Sequence, residues 1–108
     1  MLIVTTTITR PSADVPFYDV GEAWKTYFKT TYIDTGKCTE PAENAKSFSP
    51  DNLTLTKVMN WKSQAYNDEY MADPVADAMK EARLAYSIAN HITLTFTREL
   101  IHDANDPA

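Results

Sequence analysis

Apolar positions recur along this chain with two periods, one of two residues and one of three to four. Residues 2–9 (Leu-Ile-Val-Thr-Thr-Thr-Ile-Thr) are almost all aliphatic or β-branched and stop at Arg10-Pro11, which predicts a first strand closed by a breaker. From Val20 the period lengthens: Val20, Ala23, Trp24, Tyr27, Phe28 and Thr31 follow one another at helical steps. Asp19 is placed to cap that helix, with Glu22 three residues on, and Gly36 supplies a left-handed stop. Residues 37–45 have no period and carry Pro41, so they read as loop; residues 47–49 offer a short strand. Pro50-Asp51-Asn52 is a turn, because proline presets the first torsion and asparagine tolerates the left-handed region. Residues 53–61 alternate as a longer strand, and Ser63 opens a helix. Asp73-Pro74 interrupts that helix and provides cap and first position for a second segment reaching about Asn90. The predicted inner stripe of this segment is Val75, Ala78, Met79, Ala82, Ala85, Tyr86 and Ala89. Residues 92–100 alternate as a last strand, and a polar tail occupies 103–108.

The order strand, helix, strand, strand, helix, strand predicts one α+β domain over residues 1–108. It is the ferredoxin-like βαββαβ plan, an antiparallel sheet with both helices on one face. Alternation places Leu2, Val4, Ile8, Leu53, Leu55, Met59, Ile92, Leu94 and Phe96 on the helix-covered side. The opposite face receives Thr5, Thr7, Thr9, Thr54, Thr56, Thr93, Thr95 and Thr97, interrupted by Ile3 and Val58. A threonine face is either solvated or paired with a second copy of itself, and a chain of 108 residues gains from sharing a core. A homodimer through the sheet face is the expectation.

Composition narrows the function more than it names it. Hydrophobic residues at 44% and charged residues at 23% are globular values, and no apolar run is long enough to span a bilayer. The beginning of the chain lacks the pattern of a signal peptide, so a soluble, cytoplasmic protein without a membrane role is expected. Fifteen acidic against ten basic residues give a net charge of -5, which disfavours nucleic acid as a partner. The single cysteine, Cys38, forms no internal disulfide and is too isolated for a metal site. With two glycines there is no phosphate-cradling loop, and no Ser/His/Asp arrangement suggests a hydrolase. Asn52-Leu53-Thr54 matches a glycosylation sequon by chance.

The segment Thr56-Lys57-Val58-Met59-Asn60-Trp61-Lys62-Ser63, leading into Ala65-Tyr66, Tyr70-Met71 and Asp73, resembles the dimeric α/β-barrel proteins of the antibiotic-biosynthesis-monooxygenase-like kind. The similarity covers about 35 residues, with Trp-Lys-Ser after the third strand as its best match, and extends elsewhere through the plan of elements. The resemblance implies that two ferredoxin-like subunits pair through their sheets and that each encloses a small pocket between sheet and helices. The haem-degrading branch of that family would need an asparagine where Thr6 or Thr7 stands, a tryptophan where Tyr70 stands and a histidine near Met79. These differences imply no haem and no other cofactor. The antibiotic-oxidising branch works without a cofactor and would cast Asn60 and Trp61 as ligand-holding residues, although a regular strand points them to opposite faces.

The candidate pocket residues are Trp24, Tyr27, Phe28, Trp61, Tyr70, Met71, Met79, Tyr86 and Phe96. Aromatic rings with polar tips and adaptable methionines suit a small apolar or aromatic ligand. For Trp24, Tyr27, Phe28 and Trp61, packing in the core is the favoured reading and a place in the pocket wall the second. His91, at the junction of the last helix and strand, suits a helix C-terminus electrostatically, His102 belongs to the tail, and Asp68, Glu69 and Asp73 read as a solvated acidic face. No acid, base or metal ligand is placed for chemistry, so no catalytic residue is named and binding is favoured over catalysis. A cofactor-independent monooxygenase-like enzyme and a structural dimer without a ligand are the alternatives.

Overall fold

The computed structural model describes residues 1–39 and 46–101. The loop reading of residues 40–45, and everything expected of the tail including His102, lie outside the described residues. Strand β1 (Leu2–Thr9) runs through the middle of an antiparallel sheet, between β4 (Thr54–Trp61) and β5 (Thr93–Leu100). All three long strands fall within a residue of the expected bounds, because each is an uninterrupted run of alternating β-formers bounded by turn residues.

The second strand of the plan is in two pieces. β2 (Cys38–Thr39) pairs with Trp61 and Asn60, and β3 (Lys46–Phe48) pairs with Lys57, Thr56 and Leu55, both along the same edge of β4. β2 falls within the expected loop. Two residues are too few to show a period, and the edge of β4 that they satisfy decides their conformation. The β3–β4 turn forms as expected, with Asn52 left-handed (φ 62°) and its amide donating to the Ser49 carbonyl at 2.9 Å.

Helix α1 (Glu22–Phe28) continues into a π-helical stretch, Lys29–Ile33, and ends where the Gly36 amide donates to Ile33 at a φ of 77°. Asp19 does not cap it. Its carboxylate accepts from the Gly21 amide at 2.8 Å in a local turn, and Gly21 (φ 83°) occupies the capping position. Helix α2 (Gln64–Met71) is capped by Ser63, whose Oγ accepts from the Tyr66 amide. Helix α3 (Pro74–Ala89) is capped by Asp73, with Pro74 as its first residue. Its C-terminus closes by two return bonds, Ile92 N–H to Ser87 and His91 N–H to Ile88, with His91 left-handed (φ 57°).

Register sorts the sheet into two faces. Rows Thr9–Thr54–Thr93, Thr7–Thr56–Thr95 and Thr5–Val58–Thr97 place the eight threonines together on one face, with Ile3 beside Asn60 and Glu99. On the other face Leu2, Val4, Ile8, Leu55 and Trp61 are buried against residues of the helices. The main core is aromatic: Tyr32, Trp61 and Tyr70 meet at centroid distances of 5.1 to 5.5 Å, flanked by Trp24, Tyr27 and Phe28. A second cluster of Ile8, Leu55 and Ile92 forms around Phe17 and Tyr86. Arg10, expected only to end β1, is buried beside it. Its guanidinium donates to the Asn52 carbonyl at 2.7 and 3.0 Å and stacks 4.4 Å from Phe17, which pins the loop after β1 to the β3–β4 turn.

The orientation of α3 departs from expectation. Ala76 and Ser87 are buried and Met79, Lys80, Arg83, Tyr86 and Asn90 are half-buried, whereas Val75, Ala78, Ala82, Ala85 and Ala89 face outward with Leu84 and Ile88. The helix presents a partly polar stripe to the sheet. Long basic side chains bury aliphatic stems as readily as apolar residues do, and counting apolarity alone misses them.

Candidate functional site

Between the sheet and helices α2 and α3 lies a half-open cavity of about 280 Å³. Its floor is the helix-covered face of the three long strands: Val4 and Thr6 from β1, Met59 and Trp61 from β4, and Leu94, Phe96 and Arg98 from β5. Its roof is Asn67, Tyr70 and Met71 from α2 with Lys80, Arg83 and Leu84 from α3. Over this space α3 lays the long side chains of Lys80 and Arg83.

Of the sequence-predicted pocket residues, Trp61, Tyr70, Met71 and Phe96 line this cavity. Trp24, Tyr27 and Phe28 pack instead against the aromatic core on the far side of Tyr70 and Trp61, with Trp24 at 6.4 Å from the Tyr70 ring. Tyr86 belongs to the second cluster, its ring 5.3 Å from Tyr18 and its hydroxyl donating to the Pro16 carbonyl. Met79 is half-buried on α3, outside the lining. Asn60 and Trp61 do point to opposite faces: Trp61 lines the cavity, and Asn60 sits opposite Ile3 on the threonine face.

The polar part of the lining was not foreseen. Lys80 lies 4.3 Å over the Tyr70 ring and Arg83 5.4 Å over the Phe96 ring. Lys80 and Arg98 both direct a nitrogen at the Met71 sulfur, at 3.4 and 3.7 Å. A thioether is a weak acceptor and neutralises nothing. Lys57, on the same face of the sheet opposite Thr6, lines with Arg83 a small adjoining pocket of about 40 Å³. Burial, and then its neighbours Lys46 and Arg83, push the Lys57 ammonium down; burial does the same to Lys80 and to Arg83. Among the described residues no carboxylate forms an ion pair with Lys57, Lys80, Arg83 or Arg98. Two buried N–H donors of the lining, Trp61 Nε1 and Arg83 Nε, have no hydrogen-bond acceptor. The signal in the sequence was the spacing of Lys80, Arg83 and Ser87, three and four residues apart on one side of a helix.

Beyond the aromatic core, a polar knot joins three helical segments. Tyr27 and Tyr32 both donate to Asp73 Oδ2 at 2.6 Å, while Asp73 Oδ1 accepts from the Val75 amide at 2.9 Å. In an ordinary α-helix residues five apart point roughly 140° away from each other. The π-helical stretch, with the Asp34 amide donating five residues back to Lys29, brings both tyrosines to one side. Partial burial works against the Asp73 charge, yet the two hydroxyls and the amides of Val75 and Ala76 hold its carboxyl below the usual range. Cys38 is buried, which pushes its thiol up to about 12 and leaves it unreactive. No group of His, Cys, Asp and Glu among the described residues is arranged to hold a metal ion, and no helix there is long and apolar enough to cross a membrane.

No protein-family model and no curated protein matches this chain. Its fold is similar to that of solved structures. One, from Deinococcus radiodurans, is of a protein proposed to be an antibiotic biosynthesis monooxygenase. It aligns over 100% of this chain and 99% of its own at 14% identity, with a TM-score of 0.57. Another is Rv0793 from Mycobacterium tuberculosis, over 97% of this chain and 100% of its own, again at 14% identity and with a TM-score of 0.42. The first similarity establishes the α+β fold over the whole chain. It agrees with the resemblance carried by the segment from Thr56 to Ser63 at the level of architecture.

Proposed function

We propose that this protein binds one small molecule with a flat apolar or aromatic body in the cavity between its sheet and helices α2 and α3. The supporting observation is the cavity itself, about 280 Å³ with Val4, Met59, Trp61, Leu94 and Phe96 as floor. An apolar void of about 150 Å³ already holds a benzene-sized molecule, so this one suits a bicyclic or substituted monocyclic compound. Methionines at Met59 and Met71 let the walls adapt to shape. Binding is favoured over catalysis because the lining holds no group poised as a base near neutral pH: the Tyr70 phenol is pushed up to about 12 by burial, and the remaining ionisable groups are cations. The fold shared with the Deinococcus radiodurans protein keeps a cofactor-independent oxidation as the second reading. The observation in its favour is the set of cations, which would stabilise a phenolate.

The test is titration with N-phenyl-1-naphthylamine, an uncharged probe that brightens in apolar surroundings. Saturable one-to-one binding in the micromolar range is expected. It should be lost in Leu84→Trp, which fills the mouth from an exposed position without touching the core. No fluorescence response at probe concentrations of about 100 μM would overturn the reading. We also propose that two copies pair through the threonine face, a reading supported by its eight aligned threonines and by Ile3 and Val58 among them.

A further inference from the structure

Arg83 is placed at odds with the ordinary treatment of buried charge. Its Nε lies buried without an acceptor, and no carboxylate among the described residues pairs with the guanidinium. A guanidinium does not escape by losing its proton, so a buried one is normally neutralised by an anion. The positive charge around it is also crowded, since Lys80 and Arg98 line the same cavity, each with a nitrogen directed at the Met71 sulfur, and Lys57 shares with Arg83 the adjoining pocket. Three of the ten basic residues thus line one cavity, with a fourth in the adjoining pocket, in a chain whose net charge is -5. Beside them Trp61 holds a second buried N–H without an acceptor.

We infer that the molecule bound in this cavity is an anion, an aromatic or aliphatic carboxylate whose charged end is held by Arg83 and whose apolar body lies over Met59, Trp61 and Phe96. This rests on the proposed small-molecule binding and adds the chemical class of the ligand. A planar carboxylate accepts two parallel N–H bonds from one guanidinium, which satisfies the orphaned Nε and neutralises the charge together. Lys80, at the Met71 side, adds attraction as a point charge, and the Arg98 guanidinium beside it adds a second positive group. The depressed affinity of the Arg83 and Lys80 groups for their protons, caused by burial, is the cost that a bound anion relieves.

Calorimetric titration of the full chain with 2-naphthoate and with its uncharged isostere 2-naphthamide tests the inference in the unaltered protein. The naphthoate is expected to bind roughly ten- to a hundredfold more tightly at low salt, as charge-assisted bonds to a desolvated guanidinium require. Arg83→Gln should erase that preference, the acid losing more affinity than the amide; Arg83→Lys should restore part of the preference but not all of it. Thermal melts confirm that each variant is folded. Equal affinity for the two compounds in the unaltered protein overturns the anion inference and leaves the cavity reading standing. An acid preference that survives Arg83→Gln overturns the role of Arg83. Binding of neither compound overturns both.

Discussion

Trp61 carries two duties that pull in different directions. It is 1% exposed and packs against Tyr32, Phe28 and Tyr70 at 5.1 to 6.2 Å, yet it also lines the cavity and leaves its indole N–H without an acceptor. The packing dominates the energetics, because the ring lies at the centre of the aromatic cluster whether or not a ligand is bound. Trp61→Ala is therefore expected to cost about 3–5 kcal/mol in urea melts. A loss below about 1 kcal/mol would show that the neighbouring rings do not depend on it. Cys38, also buried and opposite Trp61 in the sheet, acts simply as a small apolar residue at this end of the core.

At the scale of elements, the joint between α2 and α3 is held by Asp73. One carboxylate caps α3 and anchors both tyrosines of the α1 and π-helical stretch, so the first helical segment is fastened to the second through a single side chain. Asp73→Ala is expected to cost about 1–2 kcal/mol at neutral pH from the cap alone. Asp73→Asn keeps a capping oxygen and removes the charge, which isolates the pH dependence. The native carboxyl titrates below its ordinary value of 3.8, so between the two values the unfolded chain takes up a proton that the folded chain does not. Stability is thus fully present above about pH 4 and falls as the pH drops through the native value. The tyrosines act in the opposite sense. Hydrogen bonding to Asp73 raises Tyr27 above 10.0, and burial together with the same bond raises Tyr32, so their contribution is lost as the pH rises beyond 10. Urea melts across pH 2.5 to 11 should show shallower losses at both ends in Asp73→Asn. Curves parallel to those of the unaltered protein would refute the link.

At the scale of the whole molecule, two surfaces compete for the proposed pairing of two copies, the threonine face and the exposed apolar surface elsewhere. The threonine face is covered by no helix among the described residues, while Leu84, Ile88, Phe96, Leu100 and Ile101 expose apolar surface along α3 and the edge strand β5. Pairing through the threonines would bury on the order of 1,500 Å² and leave the cavity of each copy open to ligand. Light scattering at micromolar concentration is expected to report twice the chain mass of 12.2 kDa. The double variant Thr56→Lys, Thr95→Lys, which sets like charges in one row of the sheet, should be monomeric, and Ile88→Glu should remain paired. A monomer in the unaltered protein, or dissociation by Ile88→Glu alone, would shift the interface away from the threonines.

The elements that depend on near neighbours in the chain were legible in the sequence. Alternation over eight residues defines β1, β4 and β5 and, with their register, the threonine face; Ser63 and Asp73 cap their helices, and Asn52 turns the chain, because each effect acts within a few residues. What depends on partners distant in sequence was decided only by the tertiary structure. The two-residue β2 exists because the edge of β4 accepts it, and Asp19 yields the capping position to Gly21, whose positive φ sets the entry of α1. The rotation of α3 is the largest such decision. Hydropathy alone directs Ala78, Ala82, Ala85 and Ala89 inward, whereas the fold turns them outward and lays the stems of Lys80 and Arg83 over the sheet with their charges at the cavity. The site therefore emerged from the packing of α2 and α3 over the sheet, because the spacing of Lys80, Arg83 and Ser87 marks one side of the helix without showing that this polar side, and not the more apolar one, is the side that is buried.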